Sequence, residues 1–171
     1  VGTLISISNA IRKGAPLTNR VLTASGDCLK DPKNLRVPLG TLLSDIVDFC
    51  GGFVKEPQEL VFGGPMMGIN QRSQDVPVLK GTSGILFLSE LEDLNESSCI
   101  RCGRCLENCP MGLMPYRFVE LAKKSNFLST EEYFASSCIE CGLCTYNCPA
   151  RIPILNYIRL SKQEIKRQRS R

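Results

Sequence analysis

Histidine is absent from the 171 residues. Its absence excludes Rieske centres, His-containing zinc sites, haem on a proximal histidine and every triad built on an imidazole base. Chemistry here has to come from cysteine, carboxylate, backbone or a bound cofactor. Long apolar runs are also missing. No stretch approaches the roughly 18–20 residues that span a bilayer, and "GILFL" (Gly84–Leu88) is strand-length, so any membrane association is expected to be peripheral. No basic segment followed by an apolar one stands at the start, and Val1 in place of Met suggests a processed or excised chain without a signal peptide. A Gly-rich dinucleotide loop opening a strand–helix unit is missing as well.

What is present divides unevenly. Hydrophobic residues make up 43% of the chain, enough for a core. Net charge is +4, and the excess sits at one end: Arg151, Arg159, Lys162, Lys166, Arg167, Arg169 and Arg171 face a single acid, Glu164, while the body is slightly acidic. The tail reads as a solvated helix end favoured by the helix dipole, or as a docking surface for acidic partners or lipid headgroups. No aromatics interleave with its distal basic cluster, which argues against nucleic acid.

Texture changes near "ELEDLNESS" (Glu90–Ser98). Before it, "TLISISNAIRKG" reads as a helix with Thr3 as N-cap, a stripe of Leu4, Ile7, Ala10 and Ile11, and a stop at Gly14. Strands are expected at Arg20–Gly26, Leu35–Gly40, "ELVF" and "GILFL". A second helix in "TLLSDIVDFCGG" places Leu42, Leu43, Ile46, Val47 and Cys50 on one face. Strands around one amphipathic helix imply a small α+β domain. Cys28 and Cys50 read as buried structural thiols.

After the change, the chain repeats itself. "CIRCGRCLENCP" (Cys99–Pro110) returns as "CIECGLCTYNCP" (Cys138–Pro149) at an offset of 39 residues. Helices opened by Pro115 and Pro153 follow, one residue out of step, and "STEE" offers a capping box from Ser129 to Glu132. The spacing C-x2-C-x2-C-x3-C-P is that of bacterial ferredoxin runs, in which three cysteines hold one [4Fe-4S] cube and the fourth reaches the other. By that rule Cys99, Cys102, Cys105 and Cys148 hold cluster 1, and Cys138, Cys141, Cys144 and Cys109 hold cluster 2. A disulfide framework would suit a secreted mini-protein short of core, and two four-cysteine zinc sites would not need a third cysteine and Cys-Pro twice. The long helical connection favours an α-helical two-cluster ferredoxin arrangement. Arg101 and Arg104 in the first run against Glu140 in the second suggest a higher potential for cluster 1.

The segments "AIRKGAPLTNRVLTASG", "PKNLRVPLGTLL", "FGGPMMG" and "DVPVLKGTSGILFL", followed by the doubled cluster motif, resemble the RnfC family of the Rnf electron-transport complex over essentially the whole chain. The resemblance implies a soluble-ligand-binding β-grasp (SLBB) domain followed by the cluster pair. The expected organisation is a leading helical segment (1–19), an SLBB β-grasp domain (20–90) and a two-[4Fe-4S] ferredoxin-type domain with a basic tail (91–171). It further implies the electron-transfer portion of an ion-translocating ferredoxin:NAD+ oxidoreductase, peripheral on the cytoplasmic face of the cell inner membrane. Partners would be other Rnf subunits and ferredoxin-type donors or acceptors. FMN and NAD(H) are expected only on an upstream domain absent from this sequence, and no catalytic residue is expected here. Cobalamin reductases of propanediol utilisation share the architecture and remain an alternative, as does a non-redox scaffold braced by metal. "GGPMMG" reads as a sharp connection after a strand, with partner contact second.

Overall fold

Alternating apolar side chains in the first ninety residues build one mixed sheet. The computed structural model describes residues 2–90 and 95–170, and the chain divides into two units, Val1–Glu92 and Asp93–Arg171. The domain boundary expected at residue 91 lies outside the described residues.

In the first unit, strands β1 (Asn19–Gly26), β2 (Lys33–Pro38), β3 (Glu59–Phe62), β4 (Ile69–Gln71) and β5 (Gly84–Leu88) form a sheet ordered β2-β1-β5-β3-β4. The first and last strands lie side by side and parallel, Thr23 opposite Gly84 and Gly26 opposite Phe87; the other pairs are antiparallel. A parallel pair needs a long crossover, and β2, helix α2 (Leu43–Phe49), β3 and β4 supply it. Helix α2 lays Leu43, Ile46 and Val47 over the sheet against Leu22, Ala24, Ile85 and Phe87. Cys28 and Cys50 are both wholly buried in this hydrocarbon. Phe53 and Phe87 pack tilted, with ring centroids 5.3 Å apart. Gly26 cannot be replaced cheaply: its φ is +129°, and a Cβ there would lie 2.0 Å from the Phe87 carbonyl oxygen.

Several local expectations need correction. Thr3 lies inside helix α1 (Gly2–Lys13) rather than capping it, and the helix buries none of its stripe. Leu42 is the N-cap of α2 and is 38% exposed, because the helix begins one residue later than its apolar pattern. Strand β2 starts and ends two residues earlier than its β-branched run, since pairing with β1 sets the register. The three-residue β4 carried no alternation to read. It pairs with β3 through the Gly63–Gly68 connection, where the Gly68 N–H bonds the Gly64 carbonyl at 2.7 Å.

The second unit is helical, giving an α+β chain overall. Its elements are α3 (Arg104–Glu107), α4 (Pro115–Lys123), two short 3-10 helices (Leu128–Tyr133 and Ala135–Ser137), α5 (Leu143–Tyr146) and α6 (Ile154–Arg169). Pro115 opens α4 at its first residue, but Pro153 is the N-cap of α6, one position before the helix. The helices themselves therefore start in register: Pro115, Val119 and Ala122 correspond at offset 39 to Ile154, Ile158 and Ser161, and all six are buried. The expected capping box is not formed. Ser129 lies within a 3-10 helix, and the hydroxyl that bonds back is that of Thr130, to the Phe127 carbonyl.

Candidate metal centres

Each cysteine run folds the same way, for a backbone reason. Arg101 and Glu140 take positive φ (53° and 56°), as do Gly103 and Gly142 (81° and 80°), and a one-turn helix follows in each run. Two left-handed residues ahead of a one-turn helix make each run a tight loop whose first three cysteines reach one cavity. Asn108 and Asn147 close the turns alike, their side-chain amides donating to the Arg104 and Leu143 carbonyls at 2.8 and 3.0 Å. The equivalence runs on to Gly112 and Arg151, which share a left-handed φ of 63° and 52°.

The thiols gather into two crossed groups. Cys99, Cys102, Cys105 and Cys148 line one cavity of about 610 Å³, walled by Val119, Ile152 and Ile154 on its apolar side. Cys138, Cys141, Cys144 and Cys109 line a second and far tighter one of about 20 Å³, with Phe118, Leu155 and Ile158. Each group takes three thiols from one run and one from the other. Among the described residues, no three cysteine or carboxylate side chains meet closely enough to hold a single metal ion; the thiols of each group stand around a cavity. Two backbone donors already address sulfur: the Leu113 N–H to Cys109 at 3.3 Å and the Glu140 N–H to Cys138 at 3.4 Å. Burial pushes the Cys144 thiol up to about 11 and raises Cys105 and Cys138 as well. Such thiols stay protonated and inert until a strong Lewis acid displaces the proton. All-thiol donors, the two N–H groups bonded to sulfur and an apolar wall fit [4Fe-4S] clusters. The first cavity has room for a cube, whereas the fit of the second rests on donors and backbone rather than volume.

The charges around the two groups are related by inversion. In the first half the loop residue is Arg101, whose charge lies near Glu120 of α4 and helps depress that carboxyl behind the larger effect of Arg117. In the second half the loop residue is Glu140, and the equivalent of Glu120 is Arg159. Arg159 Nε meets the Glu140 carboxylate at 3.1 Å and Lys162 Nζ meets it at 2.7 Å. Lys162 and then Arg159 hold Glu140 below the usual carboxylate range. The bare contrast between Arg101 and Glu140 expected from sequence is thus offset in the second half, where Glu140 pairs with two cations of α6, whereas in the first half Glu120 pairs with Arg117. The basic tail is likewise not simply solvated, since its first cations fold back on the second loop and Arg169 pairs with Glu131. These helix partners were missed in the sequence, although the 39-residue offset that aligns the cysteines also aligns Glu120 with Arg159 and Lys123 with Lys162.

Comparison with known proteins agrees with this architecture. Residues 98–152 match the 4Fe-4S dicluster domain family and residues 21–70 the SLBB domain family. The chain is 50% identical over 136 residues to the C-subunit of the proton-translocating ferredoxin:NAD(+) oxidoreductase complex of Clostridium ljungdahlii, covering 78% of this chain and 30% of that protein. It is 47% identical over 118 residues to the C-subunit of the ion-translocating oxidoreductase complex of Rhodobacter capsulatus (68% and 23% covered). To the C-subunit of the Na(+)-translocating ferredoxin:NAD(+) oxidoreductase complex of Acetobacterium woodii it is 40% identical over 127 residues (73% and 29% covered). The match spans no more than 30% of the length of these relatives.

Proposed function

Because the chain belongs to the RnfC family, the C-subunits of ion-translocating oxidoreductase complexes, we propose that it is an electron relay carrying two [4Fe-4S] clusters. Cys99, Cys102, Cys105 and Cys148 hold one, and Cys138, Cys141, Cys144 and Cys109 hold the other. The observation that carries this reading is the crossed grouping of thiols around two cavities. When bound, each all-cysteine cluster supplies a one-electron couple. The chain's own residues do the rest. The left-handed turns at Arg101 and Glu140 shape the two ligand loops, the Glu140 and Leu113 N–H groups donate to the Cys138 and Cys109 sulfurs, and α4 and α6 wall the cavities with Val119, Phe118 and Ile158. Exchange of the fourth ligand, Cys148 to the first cavity and Cys109 to the second, would fasten the two halves together, and the bound clusters would supply the path for a one-electron relay.

The relay is proposed to serve an ion-translocating ferredoxin:NAD+ oxidoreductase, with the other subunits of that complex and ferredoxin-type proteins as partners. FMN and NAD(H) then bind on the part of the longer relatives that these residues do not span. No helix among the described residues is long and apolar enough to cross a membrane, and the proposed position is peripheral, on the cytoplasmic face of the inner membrane. The test is an anaerobic iron, sulfide and zinc assay on the reconstituted chain, with a potentiometric EPR titration of the same sample. The expected result is about eight irons and two S = 1/2 signals that broaden each other. Stoichiometric zinc without any cluster would replace the relay with a metal-braced scaffold.

A further inference from the structure

We infer that Lys162 is the positioning residue of the second cluster site, and that it sets the redox balance of that centre in a way its repeat counterpart, Lys123, does not for the first. The inference rests on the two-cluster relay proposed above. Lys162 Nζ donates at 2.8 Å to the main-chain carbonyl of Cys138, the first thiol of its run, and at 2.7 Å to Glu140 Oε1. One ammonium thus joins two residues of the loop that carries the first thiols of the second site. Arg159 Nε, one turn earlier on α6, takes the other oxygen of Glu140 at 3.1 Å and prevents the carboxylate from swinging away. Glu140 and its counterpart Arg101 both take a positive φ that is uncommon for a non-glycine residue, and in the second half Lys162 and Arg159 tie that turn to α6.

Lys123 occupies the same place in the first half, 39 residues earlier, and behaves differently. Its ammonium is drawn to Glu96 and lies over the Tyr157 ring, 5.6 Å from the centroid. The lysine side chain is 45% exposed there, against 24% for Lys162. Lys123 lines the first cavity, but its partner is a carboxylate from another segment, and its greater exposure leaves it more screened by water. The charge of Lys162 is matched too, by Glu140, but that carboxylate and the Cys138 carbonyl belong to the ligand loop itself, where less water screens them. A fixed cation beside an iron–sulfur centre favours the reduced form, and the hydrogen bonds it makes fix the ligand loop.

The test is Lys162→Met in the reconstituted 171-residue chain, compared with Lys162→Arg and Lys123→Met by iron count and potentiometric EPR. Cys141→Ser identifies which of the two signals belongs to the second centre. The expected result for Lys162→Met is a lower midpoint for that signal alone, by about the 59 mV that a tenfold change in a one-electron equilibrium represents. Lys162→Arg should recover most of the shift, and Lys123→Met should move neither midpoint comparably. If Lys162→Met instead loses about four irons, with only the second centre missing and Lys162→Arg restoring it, the positioning role stands on occupancy. Unchanged midpoints, an equal shift in Lys123→Met, or joint loss of both centres would overturn the inference. Failure of the wild-type chain to take up iron would instead bring down the relay reading itself.

Discussion

The two units solve the same problem with different materials. The first closes its core with hydrocarbon: Leu22, Leu43, Ile85, Phe87 and Val78 are each 2% exposed or less, and its two cysteines are simply packed among them. In the second, the core that Phe118, Ile158 and Ile152 begin is continued by Cys105, Cys109, Cys138, Cys144 and Cys148. The elements that carry its cysteine runs are short, with one-turn helices at α3 and α5. Hydrophobic burial contributes about 25 cal/mol per Å² wherever it occurs, but here much of the interior is lined by the groups that ligation would tie together. The first unit should therefore stand without a cofactor and the second should depend on one. Where a site does not form in the unfolded chain, metal binding is itself folding free energy.

Anaerobic chelation of the iron is the hardest test of that contrast. Amide exchange should lose protection at Phe118, Val119 and Ile158 once iron is removed, while Leu22, Ile85 and Phe87 keep theirs. Retained protection in both units would mean that the helical unit holds itself together as the sheet does. A subtler version removes one fourth ligand. Cys148→Ser is expected to reduce the iron from about eight to about four, emptying the centre of Cys99, Cys102 and Cys105 while the other survives. Loss confined to the Cys138, Cys141 and Cys144 centre would show that each run keeps its own fourth cysteine.

Legibility in the sequence follows the same division. In the helical unit the spacing of cysteines, Gly103, Gly142 and the Cys-Pro pairs wrote out both turns, because the chemistry tolerates few other residues at those places. The charged support did not show in the same way. Nothing in a lone Glu140 reveals that Arg159 and Lys162 reach it from α6, since an ion pair across 19 or 22 residues depends on how a helix lies. In the sheet unit four strands were readable from β-branched runs, while β4 was not, as Ile69–Gln71 is short, largely exposed and held only by its pairing with β3. The register of β2 was also hidden, being a property of the pair and not of either strand. Leu4, Ile7 and Ile11 gave the first helix its pattern, yet all three are exposed. Periodicity there reported a helix without a core to face.

Within the sheet unit, Phe87→Ala strikes the centre of the core. Phe87 is wholly buried on β5, against Phe53 and beside Gly26, and truncating such a side chain costs about 3–5 kcal/mol. Denaturant unfolding of the first unit should show that loss, while the iron count of the second stays near its wild-type value. A fall in cluster content would mean that the two units depend on each other for stability.

The smallest expected effect concerns charge in the sheet unit. Asp27 follows β1, and its carboxylate receives the Ser89 N–H at 3.0 Å and the Ser89 hydroxyl, tying the end of β5 to the end of β1. The Ser89 hydroxyl, then its N–H, hold the Asp27 carboxyl below the ordinary value of 3.8. A carboxyl depressed on folding adds stability that is fully present above its unfolded pKa and is lost as pH falls through the folded one. Asp27→Asn should therefore lower the Tm of the first unit slightly at pH 7, where the charged acceptor is missing. The difference should shrink as the wild-type carboxyl protonates below about pH 4. Thermal melts of both proteins at pH 7, 5 and 3 read this directly. Curves that stayed equally separated at pH 3 would assign the effect to the shape of the Asp27–Ser89 contact and not to its charge. The sheet unit would then owe its acid response to other carboxylates.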